Sequence, residues 1–226
     1  MSARAWPLAT LLLGLATLAA LLALGQQPEV TALYGAGEVG AVVSDFQRAA
    51  SMDDLVRVFG DPPNPRVIAA MDAVNRLDLW LFVPVYTLFL LAAAVMIGKA
   101  RRGPLLWAAF AFALLGAGAD VIETSAQLRL TADWQNAASH LPIAPWHWLK
   151  YAALALNGFA VAGLCLLGAP RRWLLGIVAL APLPCVLAAF AGVASPRVFS
   201  VAFAAYWLAL LAVAGVEAMR AKRVAD

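Results

Sequence analysis

Apolar residues fill six windows of the chain, each close to the roughly 20 residues that an α-helix needs to cross about 30 Å of hydrocarbon. The windows run from Trp6 to Gly25, Leu79 to Gly98, Leu105 to Leu128, Trp146 to Gly168, Trp173 to Val193 and Val198 to Met219. They predict an all-α protein, a polytopic membrane bundle of six transmembrane helices. The first window has a second reading. Arg4, a Leu/Ala run and Ala23-Leu24-Gly25 also fit a secretory signal, but the run outlasts the roughly 7–15 residues of a signal core, so a retained helix is preferred.

The polar stretch Gln26 to Asp78 separates the first two windows. In it, Ser51-Met52-Asp53-Asp54 fits a helix N-cap with an acid at the third helical position. Leu55, Val56, Val58 and Phe59 follow as an amphipathic turn that stops at Gly60. Asp61-Pro62-Pro63-Asn64-Pro65 breaks the chain. Val67, Ile68, Met71, Val74 and Leu77 then recur at helical spacing and lead into the second span. The Ala/Gly-rich Tyr34 to Val43 fits helix and loop equally. So short a segment with so few aromatic residues is not expected to bury a large core alone, and it reads as an external helical cap resting on the bundle or the bilayer. The predicted organisation is a helix over 1–25, a cap over 26–78 and a five-helix bundle over 79–226.

Composition removes the soluble classes: 64% of residues are hydrophobic and 13% charged, with mean hydropathy +0.82, against about 45–50% and 25% in soluble domains. Charge then sets an expected orientation. Lys99, Arg101 and Arg102, then Arg171 and Arg172, then Arg220, Lys222 and Arg223 follow alternate spans. Glu29, Glu38, Asp45, Asp53, Asp54, Asp61, Asp72 and Asp78 crowd the cap against four arginines. Basic loops stay in the cytoplasm, so both termini are expected there, in a bacterial cytoplasmic (inner) membrane, with residues 26–78 outside. The formal charge of +3 follows from this asymmetry and implies no nucleic-acid partner.

The candidate chemistry lies where a bilayer disfavours charge. Asp120 and Glu123 share one face of the third span with Gly116 and Gln127. At 1.5 Å per residue they sit about 22 Å and about 27 Å from its cytoplasmic start. On the antiparallel fourth span His147, Lys150, Leu154 and Asn157 form the facing stripe, with Lys150 about 6 Å below the outer boundary. A Lys150 contact with Asp120 or Glu123 is the simplest way to keep these charges inside a bundle. The remaining acid is then protonated, bonded to Gln127, Asn157, Tyr86 or Tyr151, or facing water through an opening rimmed by Arg76, Asp78, Arg129, His140 and Arg197. A structural clasp and a functional site fit this pattern equally.

Other residues add less. His140 and His147 lack the paired spacing of a metal or haem site and read first as interface residues. Most tryptophans fall at span ends as anchors, while Trp207 lies deep in the sixth span. Pro84, Pro182 and Pro184 predict irregular helices. Cys165 and Cys185 fall about 5 Å and about 18 Å deep, too far apart for a disulfide. Nucleotide-binding, serine-hydrolase and metalloprotease motifs are missing from the sequence, and no cofactor or metal is expected.

The reading these residues favour is a protein that binds a lipid or lipid-like molecule in an acid-lined pocket near the outer leaflet. Gln127, Tyr86, His147, Tyr151, Asn157 and Trp207 are its candidate lining. One alternative is an enzyme acting on a lipid or isoprenoid-like substrate, with Asp120 and Glu123 as general acid and base and Lys150 as charge partner. The other is an accessory subunit of a larger membrane complex. The expected partners are membrane lipids, a lipid-like small molecule and other membrane proteins.

Overall fold

All regular structure among the described residues is helical, as the absence of any period-two pattern in long apolar runs requires. The computed structural model describes residues 5–34, 39–98, 103–168 and 172–223. Glu38, Lys99, Arg101, Arg102 and Arg171, on which part of the charge reading rests, lie outside the described residues, as do Arg4 and the side chains of Lys222 and Arg223.

In chain order the helices are α1 (Ala5–Gly25), α2 (Pro28–Tyr34), α3 (Val39–Gln47), α4 (Met52–Phe59), α5 (Pro65–Leu77), α6 (Val83–Gly98), α7 (Pro104–Ala132), α8 (Ala144–Leu167), α9 (Trp173–Leu180), α10 (Pro182–Phe190) and α11 (Pro196–Arg223). A π-helical turn, Asp78–Phe82, joins α5 to α6, and a 3-10 segment, Trp134–His140, precedes α8. Six of the resulting runs are long and apolar enough to cross a membrane: Ala5–Gly25, Pro65–Gly98, Pro104–Ala132, Ala144–Leu167, Trp173–Phe190 and Pro196–Ala221. The chain is a multi-pass membrane protein. Leu8, Leu12, Leu15 and Leu22 of α1 are exposed, as are Trp80, Trp107 and Trp173, an outward apolar surface suited to acyl chains.

Two spans differ from their predicted bounds for identifiable reasons. The second begins at Pro65 rather than Leu79, because the chain carries its helix through the π turn without a break. Pro84 has no N–H for the Trp80 carbonyl, and the ladder widens so that Val83 N–H bonds to Asp78 O, five residues back. The fifth ends at Phe190 rather than Val193. There Gly192, at φ 73°, donates to Ala189 O while Val193 N–H reaches Ala188 O, the paired bonds of a Schellman stop that a left-handed glycine permits.

The chain forms two compact units: Met1–Thr17, Val85–Gly116 and Tyr151–Asp226 in the first, Leu18–Pro84 and Ala117–Lys150 in the second. The first holds its helices together by small residues and by polar links, among them Arg172 Nη2 to Glu217 Oε1 at 3.1 Å and a chain through Asn157. Asn157 Nδ2 donates to Ala109 O at 2.8 Å and Tyr206 Oη donates to Asn157 Oδ1 at 3.1 Å, so a fully buried amide is bonded at both ends. At the next residue, a Cβ built on Gly158 would lie 2.7 Å from the backbone oxygen of Ala179, a contact that rigid backbone cannot relieve. Gly158→Ala is expected to destabilise the protein by about 1–3 kcal/mol, read as a lowered thermal midpoint in detergent.

In the second unit the cap helices build a core of Val30, Phe46, Ala49, Leu55, Phe59, Val67, Ala70, Met71 and Val74, joined by Leu130, Ala137 and Ile143. Aromatic rings do more here than the cap's composition promised. Phe59 meets Phe46 edge-on at 4.8 Å and Trp134 at 5.2 Å, while Ala49 O accepts from Ile143 N–H and Ala144 N–H at 3.0 and 3.3 Å. Helices α2 and α3 flank residues 35–38 of the ambiguous Ala/Gly stretch, and that part of it lies outside the described residues. Seven and nine residues long, they are too short to be stable by propensity and depend on burying Val30 and Phe46.

Helix α4 has the N-cap its sequence implies. Ser51 Oγ accepts from Asp54 N–H and Asp54 Oδ2 accepts from Ala50 N–H and Ser51 N–H, both at 2.9 Å. These donors, with the Arg57 ion pair, hold the Asp54 carboxyl below the usual aspartate range. A group whose folded pKa is depressed stabilises the fold above the ordinary value and loses that contribution as pH falls through the lowered one. Asp54→Asn should therefore melt earlier than wild type near about pH 6, with the gap closing below about pH 4 in thermal scans followed by circular dichroism.

Candidate functional site

Three helices of the second unit supply the site, and two hydrogen bonds set the register between the first pair. Thr124 Oγ1 of α7 donates to Asp78 Oδ2 at 3.0 Å, at the start of the π turn after α5. Thr131 Oγ1 donates to Asp72 Oδ1 at 2.6 Å. Helices α5 and α7 thus run antiparallel, and Asn75 and Gln127 fall at one height between the two contacts. Helix α8 starts at Ala144, which puts Lys150 about 9 Å along it and level with the acids of α7.

Lys150 is the hub. Its Nζ lies 3.0 Å from Asp120 Oδ1 and 2.8 Å from Glu123 Oε2, so the contact inferred from sequence is made with both carboxylates. His147, one turn earlier on α8, places Nδ1 3.7 Å from Glu123 Oε1, longer than a hydrogen bond but within ion-pair range. None of the four residues is more than 4% exposed. Taking each ion out of water costs several kcal/mol, which only close opposite charges and hydrogen bonds can offset. One ammonium cannot neutralise two carboxylates, and the Asp78 carboxyl stands beside them, bonded to Thr124, the residue after Glu123 on α7.

The sequence-derived candidates fall in both units. Asp120, Glu123, Gln127, His147 and Lys150 come together in the second unit; Tyr86, Tyr151, Asn157 and Trp207 belong to the first. Within that first unit Tyr86 stacks on Trp207 at 5.5 Å, Tyr151 packs on Phe199 and Phe203 at 4.5 and 5.6 Å, and Asn157 is occupied by Tyr206 and Ala109. His147 is 1% exposed, so it is an inner residue and not an interface anchor. Asp78, expected at a rim, is bonded to Thr124, and Arg76 turns to Asp72 on its own helix at 3.4 Å.

Sequence reasoning missed Asn75, Thr124 and the Asp72–Thr131 contact, and placed Asp78 at a rim without its Thr124 partner. A signal was present: Asp72, Asn75 and Asp78 recur every three residues beside the apolar stripe of α5, and Thr124, Gln127 and Thr131 answer at spacings of three and four on α7. Polar atoms remain open in this cluster. Asn75 Nδ2 and Gln127 Nε2 are buried with no hydrogen-bond partner, and neither oxygen of Glu123 receives a hydrogen bond of good geometry.

Two other features carry less. The cap carries an open cleft of about 520 Å³ lined by Val42, Asp45, Arg48, Asp54, Arg57 and Val58, but Arg48 pairs with Asp45 and Arg57 with Asp54. Among the described residues no group of three or more His, Cys, Asp or Glu side chains has the geometry to hold a metal ion. No protein-family model, curated protein or solved structure matches the chain.

Proposed function

We propose that the polar cluster of α5, α7 and α8 binds a lipid or lipid-like molecule by its head, in a bacterial cytoplasmic membrane whose outer side carries residues 26–78. The observation that carries this reading is the mismatch of charge: two carboxylates, Asp120 and Glu123, meet the single ammonium of Lys150. A clasp between two helices needs one carboxylate per ammonium. Buried charge beyond that destabilises a bundle and is retained where it meets something else. The apolar helices around the cluster suit the tails of an amphiphile, and the polar centre suits its head.

The contacts of 2.8 and 3.0 Å at Lys150 favour a second reading, a purely structural clasp. Extraction into polymer discs without detergent, followed by mass spectrometry of the retained lipids, separates the two. The binding reading expects one lipid species enriched over the bulk membrane at about one per chain, and depleted in folded Asp120→Asn and Glu123→Gln variants. A lipid profile equal to the bulk membrane in wild type and variants alike leaves the clasp.

A further inference from the structure

The head of the bound molecule can be specified further from the open atoms of the same cluster, an inference that rests on the binding reading above. Asn75 is 4% exposed and Gln127 1%, and each has an amide nitrogen without a partner. The Asp72–Thr131 and Asp78–Thr124 bonds bring both amides to one height. Glu123 lies one turn from Gln127 on the same face of α7, with its Oε1 no closer than 3.7 Å to His147 Nδ1. The cluster therefore offers donors that need an acceptor beside a carboxylate that can accept more.

Each common type of lipid head meets this arrangement differently. A phosphodiester would satisfy the amides, but it only accepts, and it would face Asp120 and Glu123 with one lysine to offset them. An ammonium would complement the acids, but it only donates and leaves both amides open. A hydroxyl does both. It accepts from the Asn75 and Gln127 amides and donates to Glu123, without adding charge to a cluster that already carries an excess of acid. We propose that the site takes an uncharged, hydroxyl-bearing amphiphile whose alcohol oxygen lies between Asn75 Nδ2 and Gln127 Nε2 and whose proton points to Glu123.

The test uses the full chain in micelles with three probes: 1,2-dioctanoylglycerol, 1,2-dioctanoyl phosphatidylmethanol and didodecylammonium, titrated and read by native mass spectrometry. The glycerolipid is expected to bind at least tenfold more tightly than either charged probe. The Asn75→Leu/Gln127→Leu double variant should lose at least tenfold of that affinity. Leucine replaces open donors by apolar groups of similar size, so the variant should fold with a thermal midpoint at or above the wild type. Tighter binding of the phosphate or ammonium probe would overturn the hydroxyl assignment and leave the binding reading standing. Equal glycerolipid affinity in the double variant would place the hydroxyl elsewhere and overturn the inference alone. Failure of all three probes to bind, as when ordered water fills the cluster, overturns both.

Discussion

Lys150→Met is expected to destabilise the protein by about 3–5 kcal/mol, the cost of leaving buried carboxylates without their cation. Asp120 and Glu123 both lie within 3.0 Å of its Nζ and are nearly inaccessible, so neither can turn to water. The loss would be read as a lowered thermal midpoint in detergent. Restoring charge balance should reverse most of it: Lys150→Met combined with Asp120→Leu and Glu123→Met removes all three groups, and buried ionic triads replaced by apolar residues of similar volume are often neutral or stabilising. A Lys150→Met protein as stable as wild type would show that the ion pairs contribute nothing to the fold. A triple variant no better than the single one would show that the acids have a further structural partner.

Phe59→Ala should be nearly as costly, at about 3–5 kcal/mol for an aromatic ring removed from a closed core. Phe59 is 1% exposed and touches Phe46 on one edge and Trp134 on another, so its loss leaves a void that α3, α4 and the 3-10 segment border. Amide hydrogen exchange should show lost protection in α3 and α4, with Asn157 and Tyr206 in the other unit as reference. Phe59→Leu, which keeps most of the volume, should cost less than about 1.5 kcal/mol. Unchanged exchange in α3 after Phe59→Ala would mean that the cap does not depend on this core.

How much could be read beforehand differs between these two places. The Lys150 contact was legible because it needs only helix pitch, antiparallel direction and the cost of isolated charge in lipid. The Phe59 core was not. Its members come from α2 to α5 and from Leu130, Ala137 and Ile143, and no local pattern in Tyr34 to Val43 indicates that α2 and α3 would be held by burial. Asn75 escapes notice, and Asp78 reads as a rim residue, for a related reason. Their polar stripe adjoins a strong apolar one, and which of two adjoining faces turns inward depends on the neighbouring helix.

The sequence by itself determined the class, the six spans and the height at which Asp120, Glu123 and Lys150 meet. Hydropathy and helix rise are summed along one chain and need no knowledge of neighbours. Only the tertiary structure decided that Asp78, Asn75 and His147 face the same centre and that the cap shares a core with residues from the end of α7 to the start of α8. Burial is a property of paired surfaces, and which surfaces pair is settled by all the helices together.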